Sequence, residues 1–298
     1  MLSICIAIHN WNVGQLVNDL AAQATRLGVP YEILLLDDAS DEHFRIENQP
    51  LSQIPFTTYS LSEKNLGRSA VRNALAHWAK YPYLLFMDCD TAVCDDNYLQ
   101  NYLDALPAQV VVGGYGYPSQ RPEQPYVLRW KYGRTREIKS AAVRSQHANC
   151  SFSTFNFLIE KSIFQKVRFD EKLQGYGHED TLFGLDLQRN GITVTHIDNA
   201  LMHCVRCEND VYLKQIENSI DNLIHLCKNY PYKQILIENI SLLRTYNKIQ
   251  HSFTEKCFRK FYSLFSNRIL RNLHSLNPNI RFLDYFKLNY LCSKNIDL

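Results

Sequence analysis

The chain has 298 residues, 46% hydrophobic and 21% charged, with a formal net charge of +2 at neutral pH. Those totals fit a soluble globular protein with a sizeable core, and so small a net charge points to no class of charged partner. No apolar run approaches the ~18 residues needed to cross a bilayer, and the basic excess sits in the tail, where residues 251–298 hold eight Lys/Arg against three Asp/Glu.

The first residues, Met1-Leu2-Ser3-Ile4-Cys5-Ile6-Ala7-Ile8, have no basic leader region and no small-residue cleavage site, so they read as a strand over residues 3–8 rather than a signal peptide. That strand ends in His9-Asn10-Trp11-Asn12. Leu16, Leu20, Ala24 and Leu27 then mark one face of a helix. Residues 31–36 form a second strand closing on Asp37-Asp38-Ala39-Ser40, residues 41–53 read as loop, and residues 56–60 as a third, shorter strand. After the turn Asn65-Leu66-Gly67, the positions Ala70, Val71, Ala74, Leu75 and Trp78 make a helix face. The next strand, Tyr83-Leu84-Leu85-Phe86-Met87, delivers Asp88-Cys89-Asp90, and a helix over 95–106 leads to a strand at 110–112. Strands and helices alternating at this spacing predict an α/β fold with a mainly parallel sheet and right-handed crossovers. Ligands of such sheets bind at the carboxyl ends of the strands, where Asn10, Asp37, Asp38, Asp88 and Asp90 gather.

Residues 113–149 break the rhythm and are rich in Pro, Arg, Tyr and Gln. Residues 153–159 resume as a strand. Gly175-Tyr176-Gly177-His178-Glu179-Asp180 is a glycine-hinged turn entering a helix over 181–189, which Asn190-Gly191 stops. Residues 192–197 and 200–203 read as a hairpin turning at Asp198-Asn199. From Asp210 onward the pattern is helical, broken at Pro231 and Pro278. The nine scattered cysteines suit free thiols in a reducing cytoplasm, and the lone C-x-x-C of Cys204 and Cys207 lacks the second pair that zinc requires.

Each motif has a bland reading beside its chemical one. Asp37-Asp38 suits a helix N-cap, but also a contact to a base N–H or ribose hydroxyls. Arg68 and Arg72 suit a solvated helix start, or contacts to a base or diphosphate. Asp88 and Asp90, directly after a buried strand, are costly without a cation or a partner, so they are the stronger signal. Glu179 and Asp180 complement a helix dipole, yet a carboxylate there is also placed to act as general base toward a hydroxyl. His203 is an ordinary strand histidine or an imidazole metal ligand, a donor better suited to Mn2+ than to Mg2+. The tail residues Phe258, Arg259, Lys260, Phe261, Tyr262, Phe265, Arg268 and Arg271 suit a helical subdomain with a basic face, or an interfacial helix on anionic lipid.

Taken together, Ser3-Ile4-Cys5-Ile6-Ala7-Ile8-His9-Asn10, Asp37-Asp38-Ala39-Ser40, Asn65-Leu66-Gly67 with Arg72-Asn73, Asp88-Cys89-Asp90 and Gly177-His178-Glu179-Asp180 resemble, in order and spacing, the family 2 glycosyltransferases over roughly residues 1–210. The resemblance implies a GT-A fold: a Rossmann-like nucleotide-binding half (1–112) and an acceptor-binding half (113–210) around one mixed, mainly parallel sheet, followed by a helical basic and aromatic extension (211–298). It implies an inverting, metal-dependent transfer of one sugar from a nucleotide sugar, by default a UDP-sugar, to a glycan or lipid-linked acceptor in bacterial surface polysaccharide synthesis. Nucleotide-sugar contacts then fall to Asn10, Asp37, Asp38, Asn65, Arg68, Arg72 and Asp88, the metal (Mn2+ or Mg2+) to Asp90, Asp88 and His203, catalysis to Asp180, and the acceptor to Glu179, His178 and Trp130. Trp130 and the arginines of 113–149 are expected to fold over the donor. The first strand departs mildly from the family in Ile8-His9-Asn10, and the Q-x-x-R-W of processive synthases is missing, which favours single-sugar addition. The expected location is the cytoplasm, with peripheral contact to anionic lipid at the inner face of the plasma membrane through residues 253–290, and no nucleic acid is expected as partner.

Two rival readings remain. Asp88-Cys89-Asp90-Thr91 also resembles the nucleophile motif of haloacid-dehalogenase-type phosphatases, although here three strands precede it and no downstream acid pair completes it. A catalytically silent GT-A binding protein is the other, set against the presence of both carboxylate sites.

Overall fold

The apolar runs of the first hundred residues become the middle of a seven-stranded sheet. In the computed structural model, which describes residues 1–204 and 206–298, the strands are β1 (Leu2–Ile8), β2 (Tyr31–Asp37), β3 (Thr57–Leu61), β4 (Tyr83–Asp88), β5 (Thr91–Ala92), β6 (Val110–Val112), β7 (Tyr115–Gly116), β8 (Asn156–Glu160), β9 (Thr195–His196) and β10 (Leu201–His203). The large sheet has the order β3-β2-β1-β4-β8-β6-β9, and β5-β10-β7 form a second, three-stranded sheet. β1 lies parallel between β2 and β4, with Ile4 beside Ile33 and Leu85, while β8 runs antiparallel to both β4 and β6. Strands covered on both faces read as unbroken apolar runs, which is why β1, β2 and β4 were legible without alternation.

The helices are α1 (Gly14–Leu27), α2 (Glu42–Asn48), α3 (Arg68–Trp78), α4 (Tyr98–Asp104), α5 (Val127–Tyr132), α6 (Ala141–Ser145), α7 (Lys161–Lys166), α8 (Glu179–Arg189), α9 (Asn209–Asn229), α10 (Lys233–Asn239), α11 (Ser241–Ile249), α12 (Phe253–Leu273) and α13 (Ile280–Ser293). Successive strand residues point to opposite faces, so the sheet feeds two cores. Ile4, Ile6, Ile33 and Leu35 pack with Leu16, Val17 and Leu20 of α1 and with Tyr98, Leu99 and Tyr102 of α4. Cys5, Leu34, Leu36 and Phe86 pack with Val71 and Leu75 of α3 and with Phe183 and Leu187 of α8.

The chain divides into two compact units. The first comprises residues 1–118, 138–174 and 179–204, and holds both sheets. The second comprises residues 119–137, 175–178 and the described part of 205–298, and is helical, with α9 burying Tyr212, Leu213, Ile216, Ile220 and Leu223. Val205, inside the C-x-x-C spacing, lies outside the described residues. Among those residues no disulfide forms and no helix is long and apolar enough to cross a membrane.

Two expectations fail for physical reasons. Residues 41–53, read as loop, contain α2 and a short 3-10 turn. α2 has no apolar stripe to announce it: its one buried residue is Asn48, whose side chain accepts from Val13 N at 3.0 Å and donates to Trp11 O at 2.8 Å, and Ile46 is exposed. The expected hairpin over 192–203 does not form. β9 joins β6 in the large sheet and β10 joins β5 and β7 in the small one. The linking Asn199 is held away from a turn by donating its backbone N–H to Gly113 O and its side chain to Tyr98 O.

Candidate active site

Because β1, β2 and β4 are parallel, their carboxyl ends share one edge: Ile8 is level with Asp37, and Ala7 with Asp88. The corner after β2 is a closed structural lock. Asp37 Oδ1 accepts from Ser40 N at 2.8 Å, and its Oδ2 accepts from the Tyr59 hydroxyl at 2.7 Å. Burial, and then that bond to Asp37, push the Tyr59 phenol well above its usual range. Asp38 takes the backbone N–H groups of Leu66 (2.6 Å) and Gly67 (3.0 Å) on its two oxygens, while its carbonyl accepts from the Asn65 side chain at 3.2 Å. Gly67 has φ +86°, a conformation glycine reaches without strain, and α3 starts immediately after it. Asn10 completes the corner: its backbone N–H donates to Ser40 Oγ at 2.8 Å, and its side-chain oxygen accepts from Asp41 N at 2.7 Å. The structure thus brings Asn10, Asp37, Asp38 and Asn65 together. Ser40 belongs to the Asp37-Asp38-Ala39-Ser40 motif, whereas Tyr59, which also holds the lock, carries no signal in the sequence.

The end of β4 is built differently. Arg72, one turn into α3 and almost fully buried, reaches Asp88 Oδ1 at 2.7 Å and lies 3.8 Å from Glu179 Oε1 of α8. Arg68, one turn earlier on the same face, is 3.7 Å from that oxygen. The guanidinium of Arg72 also sits over the Phe169 ring, 5.7 Å from its centre. The ion pairs therefore run from the strand end to the first turn of α8, joining Asp88, two arginines of α3 and Glu179 across three separate segments of the chain. Burial raises the pKa of Asp88, the charge of Asp90 adds to the rise, and Arg72 opposes it. Asp180, next to Glu179, accepts from Thr181 N at 2.7 Å, and its carboxyl is pushed up to about 7 by burial first and by the Glu179 charge second. A carboxylate that titrates near neutrality is suited to taking a proton from a hydroxyl.

The small sheet adds the last member. β5 follows Asp90 directly and pairs antiparallel with β10, so His203 stands opposite Thr91 and its Nε2 lies 3.6 Å from Asp90 Oδ2. The imidazole is stacked between Phe155 and Tyr117, with ring centres at 5.5 and 5.2 Å and planes within 5° and 11° of parallel. Phe155 and Tyr117 were not anticipated as site residues, since stacking across two sheets has no spacing in the sequence. The donor set fits a hard or borderline divalent cation in part. A carboxylate and an imidazole face each other, and the mutual repulsion of Asp88 and Asp90 is what a cation between them would relieve. No group of three His, Cys, Asp or Glu converges among the described residues.

Trp130 and His178 belong to the second unit. Trp130 lies on α5 with the Arg134 guanidinium 5.2 Å over its ring. His178, with φ +72°, ends the glycine hinge, which docks on α9: Asn222 donates to Gly177 O at 3.0 Å, and a Cβ on Gly177 would meet the Ser219 Cβ at 2.9 Å.

A family model described as glycosyl transferase family 2 matches residues 3–168. Chondroitin synthase of Escherichia coli is 25% identical over 207 residues, which is 58% of this chain but 30% of that protein's length. The mannosyltransferase PcManGT from Pyrobaculum calidifontis, solved with GDP-Man and Mn2+, superposes with a TM-score of 0.60 at 12% identity, covering 99% of this chain and 86% of that one. Residues 1–349 of S. aureus TarS superpose at 0.54 and 16% identity, covering 98% and 90%. The same TarS segment was also solved with UDP-GlcNAc. At these identities the solved structures establish the shared fold.

Proposed function

The chain belongs to glycosyl transferase family 2, and from that premise we propose that it is an inverting, metal-dependent enzyme moving one sugar from a nucleotide sugar, by default a UDP-sugar, to a hydroxyl of a glycan or lipid-linked acceptor. Building a bacterial surface polysaccharide is the process this reading favours. The observation that carries it is the ion-pair chain Asp88–Arg72–Glu179, which ties the strand end expected to meet the donor to the helix that presents Asp180.

In this reading Asp180 takes the proton from the acceptor hydroxyl. The oxygen attacks the anomeric carbon as the bond from that carbon to the nucleoside diphosphate breaks on the opposite side, and the configuration inverts. A carboxyl titrating at about 7 is basic enough for the task and still largely ionised just above neutrality. Asn10, Asp37, Asp38, Asn65, Arg68, Arg72 and Asp88 serve the donor. Asp37 and Asp38 do so mainly by fixing the loops around it, because each of their oxygens already accepts from the chain. A bound divalent cation, Mn2+ by the presence of an imidazole, would neutralise charge on the departing diphosphate, an electrostatic contribution often the largest in such chemistry. Asp90 and His203 would hold it, with Asp88 beside them. Glu179, His178 and Trp130 are assigned to the acceptor. Residues 1–112 form the donor half, 113–210 the acceptor half and 211–298 the helical extension. A lipid-linked acceptor would place the enzyme at the inner face of the plasma membrane, with residues 253–290 against anionic lipid.

The test needs no acceptor. A panel of nucleotide sugars is incubated with the protein and Mn2+, scoring slow donor hydrolysis. One donor turned over, and turnover lost in excess chelator, supports the reading. No donor turned over, or a generic phosphate ester hydrolysed faster than any nucleotide sugar, overturns it.

A further inference from the structure

The longest helices of the second unit include one that is apolar on two faces. α12 has 21 residues, roughly 30 Å at the usual helical rise. One face is accounted for: Tyr262, Ile269 and Leu273 are buried. The opposite face is not. Phe253 is 80% exposed and Leu264 72%, while the flanking Phe261 and Phe265 (43% and 42%) pack on each other, with Phe261 edge-on to Tyr285 of α13. Positions 253, 257, 260, 261, 264, 268 and 271 recur at helical spacing, so Phe253, Phe261 and Leu264 share a stripe with Lys260, Arg268 and Arg271. A helix packed only on its inner face has no use for a second row of large apolar side chains in water.

We propose that this outward face of α12 is a docking surface for an anionic membrane. The charge on the helix selects that occupant. Lys256, Arg259, Lys260, Arg268 and Arg271 are all exposed, whereas the single acid, Glu255, is buried and accepts from the His251 N–H at 2.8 Å. On the outward stripe Lys260, Arg268 and Arg271 stand with no exposed carboxylate of the helix beside them, whereas Arg259 turns to Asn295 and Glu255. A second copy meeting it through a two-fold axis would set the same cations against each other, which makes an isologous dimer the poorer fit. Lipid headgroups of opposite sign complement it, and long basic side chains can reach those headgroups while the apolar residues between them enter the boundary of the acyl layer. The inference rests on and deepens the peripheral-contact reading above by naming the face of the one helix that makes the contact, and vesicle binding fails or holds independently of sugar transfer.

The experiment is co-sedimentation of the full chain with vesicles of phosphatidylcholine, with and without phosphatidylglycerol. The chain is expected to pellet with the anionic vesicles only, and less so as salt is raised. The double variant F253S/L264S and the double variant R268E/R271E should each weaken binding by about tenfold or more, with unchanged melting temperature and unchanged donor hydrolysis. Failure to pellet with phosphatidylglycerol vesicles overturns the proposal. So does undiminished binding by both variants, or a solution dimer that L264S dissociates and that no vesicle competes with.

Discussion

At the corner after β2, the four carboxylate oxygens of Asp37 and Asp38 each accept a hydrogen bond from the chain itself, two of them from loop amides that begin α3. At the end of β4 and the start of α8, the acids are instead held close to one another with one buried arginine between them, and Asp88 and Asp180 have their pKa values raised. The residue type and the sheet edge are shared. The difference lies in where the donors come from: amides and hydroxyls make an acid into scaffold, whereas burial beside another acid leaves it poised to bind a proton or a cation. One corner is thus tied by the chain's own donors, while at the other the acids crowd a single arginine.

The largest break in that contrast comes from Asp180→Asn. Transfer should fall by about 10²–10⁴-fold while donor binding persists, the usual range for removing a general base. The sign of the stability change is diagnostic. The folded-state pKa of Asp180, about 7, lies above the ordinary carboxylate value near 4, so the folded chain keeps a proton that the unfolded chain releases. That contribution is present below pH ~4 and is lost as pH rises toward 7. The variant, unable to ionise, should therefore melt no lower than the parent at neutral pH. A variant that melts lower with unimpaired transfer would make Asp180 scaffold.

Arg72→Met tests the other half of the crowded corner. It leaves Asp88 and Glu179 without their shared partner, and removal of one member of a buried ion pair costs about 3–5 kcal/mol, read by denaturant unfolding. Asp38→Ala tests the corner after β2, where two amides lose their acceptor; about 1–3 kcal/mol is expected, together with a raised KM for the donor at nearly constant kcat. Were Asp38→Ala to lower kcat as strongly as Asp180→Asn, the division into scaffold and chemistry would fail.

Much of the scaffold was legible because burial on both faces writes itself as apolar runs: β1, β2 and β4 follow the sequence to within a residue or two, and each acid falls where a run stops. What was not legible depends on pairing across the fold. β5, β7, β9 and β10 are two or three residues long and exist through their partners, so the order Asp198-Asn199 suggested a turn where the chain changes sheets. α2 is held by polar contacts of Asn48 and has no apolar period to detect. In the site, the acids could be named from their positions, but Arg72 as the link between Asp88 and Glu179 could not, since 16 residues separate it from the first and a whole sheet crossing from the second. Nor could the rings stacked on His203.

The smallest expected effect is also the most specific. Two neighbours act on the Asp180 carboxyl with opposite signs: the Glu179 charge raises its pKa, and the Arg72 guanidinium lowers it. Activity that requires ionised Asp180 has an acid limb that rises through about pH 7. Glu179→Gln should move that limb to lower pH, because it removes the like charge and leaves Arg72 one acid fewer to neutralise. Arg72→Met should move it to higher pH, even though both substitutions disturb the same ion-pair chain. Structural damage alone would depress the rate at every pH and leave the limb in place. Shifts in opposite directions from two adjacent substitutions therefore require the titrating group to sit between them, and Asp180 is the acid whose pKa both residues influence. A limb that stays put in both variants would assign the proton transfer to another residue.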